Sequence, residues 1–325
     1  MKIIIHIGTH KTGTTAIQNF CYKNNILLNN EGFFYAGPVT NNLLTQHSEL
    51  AQFLRENNSE VLESFFVQNI SSAKKLNCHS LILSAENLCH MGPTAIERLY
   101  DYTKEHEVVI KIYVRNIYDY VMSALSQRVK VMHTLMEGPE PISPIMKSIN
   151  YSIILNRWEK VYGKTAVQVD SFDLHKHDMI THFLESLDLD TSPLNIPKKR
   201  EVADPKQNIN PDITTLSFMA LSGLIHKKKD LRTFMKKYGK SFGQSERLIS
   251  PFQVRISEMI VNKANHTYDH PKLKAFKDIL LKRPEHNNTD ERTQEYLSNM
   301  EKFIFSLRMK RLSFYEKLKL LLGIN

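Results

Sequence analysis

The N-terminal segment MKIIIHIGTHKTGTT constrains the fold of this chain more than any other stretch of the sequence. Residues 2–7 form a short apolar run rich in β-branched side chains, which predicts a buried strand. Gly8 ends this run, and after Gly13 the apolar spacing predicts a helix with one buried face. The loop thus joins a strand to a helix N-terminus, where free N–H groups and the helix dipole favour anions.

The loop has the spacing of a phosphate-binding loop, but its lysine is displaced. Gly8 and Gly13 match the two glycines of G-x-x-x-x-G-K-[ST], whereas Thr14 occupies the lysine position. The lysine of this loop, Lys11, comes two residues before the second glycine. This displacement argues against an ordinary ATPase or GTPase. The alternative is a strand-to-helix turn without a ligand, although such a turn needs fewer glycines and hydroxyls.

Strand-like and helix-like segments alternate along the rest of the N-terminal half. Three further strands are predicted, at 80–85, 108–114 and 166–170. Helices are predicted at 47–76 (two helices), 93–105, about 117–134, around Trp158 and at about 174–187. This alternation predicts an α/β fold with a parallel central sheet flanked by helices.

Two other parts of the chain lack the strand signal. Residues 31–45 are rich in Gly, Asn and Thr and are predicted to form a loop. Beyond about residue 190, only helical spacing is found. We therefore predict an α/β core over 1–190 and a mostly helical C-terminal extension over 191–325, packed on that core.

Ligands of open parallel sheets bind beyond the carboxyl ends of the strands, so residues that follow each predicted strand are site candidates. Glu86 follows the strand at 80–85, Arg115 follows the strand at 108–114, and Ser123 comes eight residues later. The forked guanidinium of an arginine suits a phosphate, and a serine could cap the same group. Two anion sites beside one carboxylate suit a ligand with two phosphate-like ends and an acceptor that needs a general base.

The stretches HIGTHKTGTTAIQ and YVRNIYDYVMSALSQ resemble the donor-binding motifs of sulfotransferases that use 3′-phosphoadenosine 5′-phosphosulfate (PAPS). The first is similar to their 5′-phosphosulfate loop and the second to their 3′-phosphate element. Bacterial carbohydrate sulfotransferases have sequence segments similar to LILSAENL and WEKVYGKTAVQVDSFD. The resemblance implies a P-loop-like sulfotransferase fold and transfer of a sulfuryl group from PAPS to a hydroxyl or amine of a carbohydrate or glycolipid.

The resemblance also implies roles for single residues. Lys11 would contact the bridging oxygen of the leaving phosphosulfate, and Glu86 would be the general base. The donor would be held by His10 (as a supporting contact), Lys11, Thr12, Gly13, Thr14, Thr15, Arg115, Ser123 and Arg200. Ala16 stands where many cytosolic members have a tryptophan that stacks on the adenine, which favours the carbohydrate-directed branch and leaves the adenine contact open.

Other interpretations of these residues stay open. The chain could be a P-loop kinase of small molecules, which would need magnesium and a triphosphate, or a catalytically silent anion-binding protein. Intact Lys11 and Glu86 count against the silent protein, although Glu86 could simply cap the helix that follows it. His47 could line the acceptor site, but a core or surface position is the favoured interpretation.

Composition adds a few limits. The net charge of +9 favours an anionic ligand or substrate. Three cysteines without metal spacing, no secretory pattern and no apolar run near 18 residues predict a cytoplasmic protein without a spanning helix. We expect no metal, including at the HKH of 175–177, and no nucleic-acid partner. The basic stretches 227–240 and 307–319 are interpreted as solvated helix faces, or as contacts for an anionic polysaccharide or membrane surface.

Overall fold

The computed structural model describes residues 1–40, 47–121, 123–124, 145, 148–192, 194, 196, 260 and 267–282. The chain divides into two compact units. The first comprises Met1–Ile117, Met146–Glu201 and Lys263–Lys282, and the second comprises Tyr118–Ile145, Val202–Asn262 and Arg283–Asn325. Most described residues belong to the first unit. The predicted division of the chain at residue 190 stays a prediction.

A five-stranded parallel sheet forms the centre of the first unit. Its strands are β1 (Lys2–His6), β2 (Phe33–Tyr35), β3 (Ser80–Ser84), β4 (Glu107–Val114) and β5 (Val167–Ser171), in the spatial order β2-β3-β1-β4-β5. Every neighbouring pair is parallel, and the register places Ile4 between Ile82 and Val109. The central strands are buried, as their nearly continuous apolar runs require. The predicted α/β class with a parallel sheet is confirmed.

Strand β2 lies inside the segment that the sequence predicts to be a loop, so the loop prediction is wrong for residues 33–35. This strand has only three residues and pairs with β3 at the edge of the sheet. Three residues are too few to show the alternation by which strands are recognised in a sequence.

The helices largely follow their predicted positions. Their bounds are α1 (Thr14–Lys23), α2 (Asn25–Asn30), α3 (Ser48–Glu56), α4 (Ser59–Lys75), α5 (Pro93–Thr103), α6 (Tyr151–Tyr162), α7 (Phe172–His175), α8 (Met179–Glu185) and α9 (Lys277–Leu280), with 3₁₀ helices at Glu86–His90 and Pro271–Phe276. Residues 117–121 and 123–124 are also helical, while the remainder of the predicted helix 117–134 lies outside the described residues. The predicted helix 174–187 proves to be two helices, α7 and α8.

Local sequence signals set several helix starts. The side chain of Asn58 accepts a hydrogen bond from the N–H of Val61 at the start of α4. Asn150 does the same for Ile153 at the start of α6, and α5 begins with Pro93. These residues satisfy or remove N–H groups that a helix start leaves unpaired.

The chain connections create a crevice at the carboxyl ends of the strands. From β1 the chain runs to β2, on one side of the sheet, whereas from β4 it runs to β5, on the other side. The loops that leave β1 and β4 therefore diverge above two adjacent strands. Ligands of open α/β sheets bind at such a point. The glycine-containing loop follows β1 and Arg115 follows β4, so both stand at this crevice.

No helix within the described ranges is long and apolar enough to cross a lipid bilayer.

Candidate active site

The loop from β1 to α1 turns through three residues with positive φ. Gly8, Lys11 and Gly13 have φ values of 53°, 67° and 77°. A Cβ on Gly8 would lie 2.9 Å from the Thr14 hydroxyl and 3.3 Å from the Cα of Glu86. Glycine is therefore needed at this position both for the backbone angle and for the close approach of the chain. Lys11 has no such freedom, so its backbone must be held by its surroundings.

Two threonine side chains hold the loop in place by hydrogen bonds to backbone carbonyls. The Thr9 hydroxyl donates to the carbonyl of Tyr113 at 2.8 Å, which ties the loop to the end of β4. The Thr12 hydroxyl donates to the carbonyl of Thr9 at 2.6 Å and is buried. Its hydroxyl is thus occupied within the loop, and among the expected 5′-phosphate ligands Thr12 can offer only its amide.

The start of α1 presents free donors. Gly13 is the N-cap and provides no side-chain cap, and the N–H groups of Gly13, Thr14 and Thr15 donate to no group in the described part of the chain. The Thr14 hydroxyl is buried and also lacks a partner there, whereas Thr15 is exposed. Unpaired donors at a helix start attract an anion because the helix dipole adds to their partial charges.

Lys11 and Arg115 are linked through the backbone. An Nη1–H of Arg115 donates to the carbonyl of Lys11 at 2.7 Å, and this bond holds the lysine in its left-handed conformation. Burial and the nearby Arg115 charge lower the pKa of Lys11, while the Glu86 carboxylate acts in the opposite direction. An anion bound at the loop would offset the repulsion between these two cations.

Arg115 itself is fixed from two sides. Its guanidinium lies over the ring of Phe172, 5.1 Å from the ring centroid, and its backbone N–H donates to the Tyr151 hydroxyl at 3.1 Å. Its buried Nε–H has no partner among the described residues. Phe172 also touches the loop, since a Cβ on Gly13 would lie 3.4 Å from its ring. Arg115 is therefore held in the crevice with its buried Nε–H unused.

Glu86 begins the 3₁₀ helix that follows β3, and it is paired with the loop. The N–H of Ala85 donates to the carbonyl of His6, which places Glu86 beside the loop where β1 ends. His10 Nδ1 lies 2.8 Å from Glu86 Oε2, and the two side chains are 38% and 25% exposed. Both side chains are thus open to a ligand while they hold each other. Ala85 is the N-cap of this 3₁₀ helix, and no side chain makes a capping hydrogen bond there.

His90 extends this pair. Its ring stacks on that of His10, with 5.2 Å between the centroids. Burial lowers the pKa of His90 to about 4, with smaller contributions from the charges of His10, Arg55 and Arg157. His90 is therefore neutral at pH 7 and supports His10 by packing.

His47 is a core residue and does not face a ligand. It is 1% exposed, and its Nε2 lies 2.9 Å from the carbonyl of Ala36. Ser84 N–H donates to its Nδ1 at 3.0 Å, so the proton of the neutral ring is on Nε2. Of the core and surface positions that the sequence favours, the structure shows the core position, where His47 bridges β3 to the segment after β2.

Ser123 and Arg200 are the remaining predicted ligands, and their roles stay predictions. Ser123 is helical and half-buried, and it belongs to the second unit. Arg200 and the basic stretches 227–240 and 307–319 lie outside the described residues. Within the described ranges, no group of three His, Cys, Asp or Glu side chains could hold a metal ion.

Sequence reasoning missed three residues of this site. Phe172 was identifiable, because it comes two residues after the strand predicted at 166–170, at the same end of the strands as Glu86 and Arg115. His90 and Tyr151 gave no such signal. They reach the site through a 3₁₀ helix and through the first residue of α6, and neither contact follows from spacing in the sequence.

Comparisons with known proteins add little to this geometry. No family model matches the sequence, and no curated protein matches it. Among solved structures, a sulfotransferase from Alicyclobacillus acidocaldarius is similar, with 15% sequence identity and a TM-score of 0.40. The alignment covers 69% of this chain and 95% of that chain. A likeness at this level supports no conclusion about family or activity.

Proposed function

We propose that this protein is a sulfotransferase that moves a sulfuryl group from PAPS to a hydroxyl or amine of a carbohydrate or glycolipid. The single observation that carries the proposal is that three groups lie together at the carboxyl ends of the strands. These are Lys11 on its constrained loop, the uncapped start of α1, and the His10–Glu86 pair. They supply a cation, a set of anion-binding amides and a carboxylate, as sulfuryl transfer requires.

The anion-binding part of the site fits the donor. The free N–H groups of Gly13, Thr14 and Thr15 would hold the 5′-phosphate, together with the unpartnered hydroxyl of Thr14. The buried hydroxyl of Thr14 costs about 1–3 kcal/mol while it lacks a partner. A phosphate oxygen would remove that cost. We further propose that Arg115 and Ser123 bind the 3′-phosphate and that Arg200 contacts the bound nucleotide.

The transfer step uses residues on both sides of the sulfur. The acceptor oxygen or nitrogen forms a bond to sulfur while the bond from sulfur to the bridging phosphate oxygen breaks. Glu86 takes the acceptor proton, and Lys11 offsets the negative charge that develops on the leaving oxygen. The products are the sulfated acceptor and 3′,5′-bisphosphoadenosine.

The hydrogen bond from His10 organises the base. Nδ1–H of His10 donates to Oε2 of Glu86, which leaves Oε1 to face the acceptor. A carboxylate held at one oxygen loses rotational freedom before the reaction starts. His10 is therefore proposed to position Glu86 and to make no contact with the transferred group.

The acceptor class and the cellular location rest on the sequence. Similarity to bacterial carbohydrate sulfotransferases supports a glycan or glycolipid acceptor, and the cysteine usage supports a cytoplasmic location. Contact of the basic stretches with an anionic membrane surface belongs to the same proposal.

Incubation with radiolabelled PAPS and a panel of capsular and lipid-linked glycans tests the proposal. We expect label to enter at least one acceptor. The variant Lys11→Ala should reduce the rate at least about a hundredfold, the scale of one lost electrostatic stabiliser. A Lys11→Ala protein with full activity would remove Lys11 from the mechanism. A wild-type protein that transfers phosphate from ATP–magnesium, and no sulfate from PAPS, would identify a kinase instead.

A further inference from the structure

A second group of basic side chains lies beside the His10–Glu86 pair, and the transfer step does not use it. Arg55 is in the last turn of α3, His90 ends the 3₁₀ helix, and Arg157 is in α6. Helix α5 packs against both α3 and α6, and α3 also packs against the 3₁₀ helix. Three separate elements thus bring these side chains to one region. We call these three residues the basic cluster.

Contacts tie the basic cluster to the proposed base. Arg55 Nη2 lies 3.4 Å from the carbonyl oxygen of Asn87, the residue that follows Glu86. His90 stacks on His10, which binds Glu86. Burial is the main cause of the lowered pKa of His90, and the charges of His10 and both arginines lower it further. The cluster is therefore next to the position where the acceptor must be deprotonated.

Among the described residues, no acid pairs with either of the two arginines. Neither Arg55 nor Arg157 forms an ion pair with a carboxylate in the described part of the chain. The carboxylate that acts on the pKa of His90 is that of Glu86, which is already bound to His10. Glu159, two residues after Arg157, pairs instead with His270 and Lys272. The charges of Arg55 and Arg157 thus remain unpaired within the described ranges.

We propose that the basic cluster binds an anionic group of the acceptor, so that the acceptor is an acidic glycan whose reacting hydroxyl lies near its carboxylate. This inference rests on the proposed function and names its substrate class. Arg55 is exposed and Arg157 half-buried, so both can reach a ligand, and a guanidinium forms paired hydrogen bonds with a carboxylate. His90 is neutral and offers a ring face and one N–H beside them.

Matched sugars test the proposal with the full chain. Glucuronate and glucose differ by one carboxylate, and the His90 side-chain signals in ¹⁵N-correlated NMR report binding of either sugar at equal ionic strength. We expect saturable shifts with glucuronate and none with glucose. The double variant Arg55→Gln/Arg157→Gln should weaken glucuronate binding at least about tenfold, and the corresponding lysine variants should retain part of it.

The matched control is Lys160→Gln, which removes an exposed charge from the same helix as Arg157. It should leave glucuronate binding unchanged. The proposal is overturned if glucuronate and glucose behave alike, including no shift with either, or if Lys160→Gln weakens binding as much as the double variant.

Binding of 3′,5′-bisphosphoadenosine to the same samples separates this inference from the proposed function. If the nucleotide binds but glucuronate has no advantage over glucose, the acidic-acceptor proposal fails alone. If glucuronate binds at the cluster and the nucleotide does not, the sulfotransferase proposal fails and the anion site stands.

Discussion

His10 and Glu86 are 76 residues apart in the sequence, and their side chains meet with 2.8 Å between Nδ1 and Oε2. The contact joins the anion loop after β1 to the 3₁₀ helix after β3. It exists because β1 and β3 are neighbours in the sheet and in parallel register, with His6 beside Ser84. The acid–imidazole pair therefore depends on the sheet topology and changes the role expected for each residue.

The pair predicts different results for two substitutions of His10. His10→Leu removes the donor to Glu86 and should lower turnover by about tenfold or more, the worth of one hydrogen bond to a charged group. His10→Asn keeps an N–H donor near the position of Nδ1 and should restore much of the rate. Single-turnover rates and pH–rate profiles measure the effect. If both variants lose activity equally, with a lowered melting temperature, His10 is needed only for folding.

Glu86→Gln keeps the shape of the side chain and removes the base. We expect near-normal folding and nucleotide binding, with sulfuryl transfer lowered at least about a hundredfold. Melting temperature and turnover should be measured on one preparation. Normal turnover in this variant would contradict the assignment of the base. The search would then move to His10, since His47 is buried between Ala36 and Ser84 and cannot reach a substrate.

Arg115 should contribute in two separable ways. Arg115→Ala removes the bond to the Lys11 carbonyl and also removes the proposed 3′-phosphate ligand. Binding of 3′,5′-bisphosphoadenosine should weaken by about 1.5–3 kcal/mol more than binding of adenosine 5′-phosphosulfate, which lacks the 3′-phosphate. Calorimetric titration with both ligands makes the comparison. Equal losses would mean that Arg115 acts only through the loop.

A buried ion pair should make the stability of the first unit depend on pH, with a loss of stability in acid. Glu159 is buried and lies 2.7 Å from Lys272 Nζ and 3.1 Å from His270 Nε2. Burial alone would raise the pKa of Glu159, but Lys272 and His270 together hold it below its usual value. The pKa of Glu159 is thus lower in the folded than in the unfolded protein. The stability that its charge contributes is therefore present above the unfolded pKa and is lost as the pH falls through the folded pKa.

Glu159→Gln should therefore lower the free energy of unfolding by roughly 3 kcal/mol at pH 7, because it breaks a buried pair. The difference from the wild type should shrink in acid. Denaturant melts at several pH values measure it. Asp101→Asn is the control, since the pair that Asp101 forms with Lys104 is exposed, and this substitution should change stability by less than about 1 kcal/mol. Equal effects of the two substitutions would contradict this account.

The fold was predictable where periodicity extends over enough residues. Strands such as Glu107–Val114 and helices such as Ser59–Lys75 are long and have clear spacing, whereas Phe33–Tyr35 is too short to be recognised. The site was predictable to the extent that residues follow strands directly, as Glu86 and Arg115 do. Which of them touch was not predictable, because contacts such as Arg115 to Lys11 depend on the strand order, and local spacing carries no information about it.

The central claim is that the loop after β1 binds a sulfuryl donor and not a nucleoside triphosphate. Isothermal titration of the full chain with 3′,5′-bisphosphoadenosine and with ATP–magnesium, under one set of conditions, tests it most directly. The account predicts saturable binding of the bisphosphate without magnesium, at an affinity well above that for ATP–magnesium. Tighter binding of ATP–magnesium, or no binding of the bisphosphate, would contradict it.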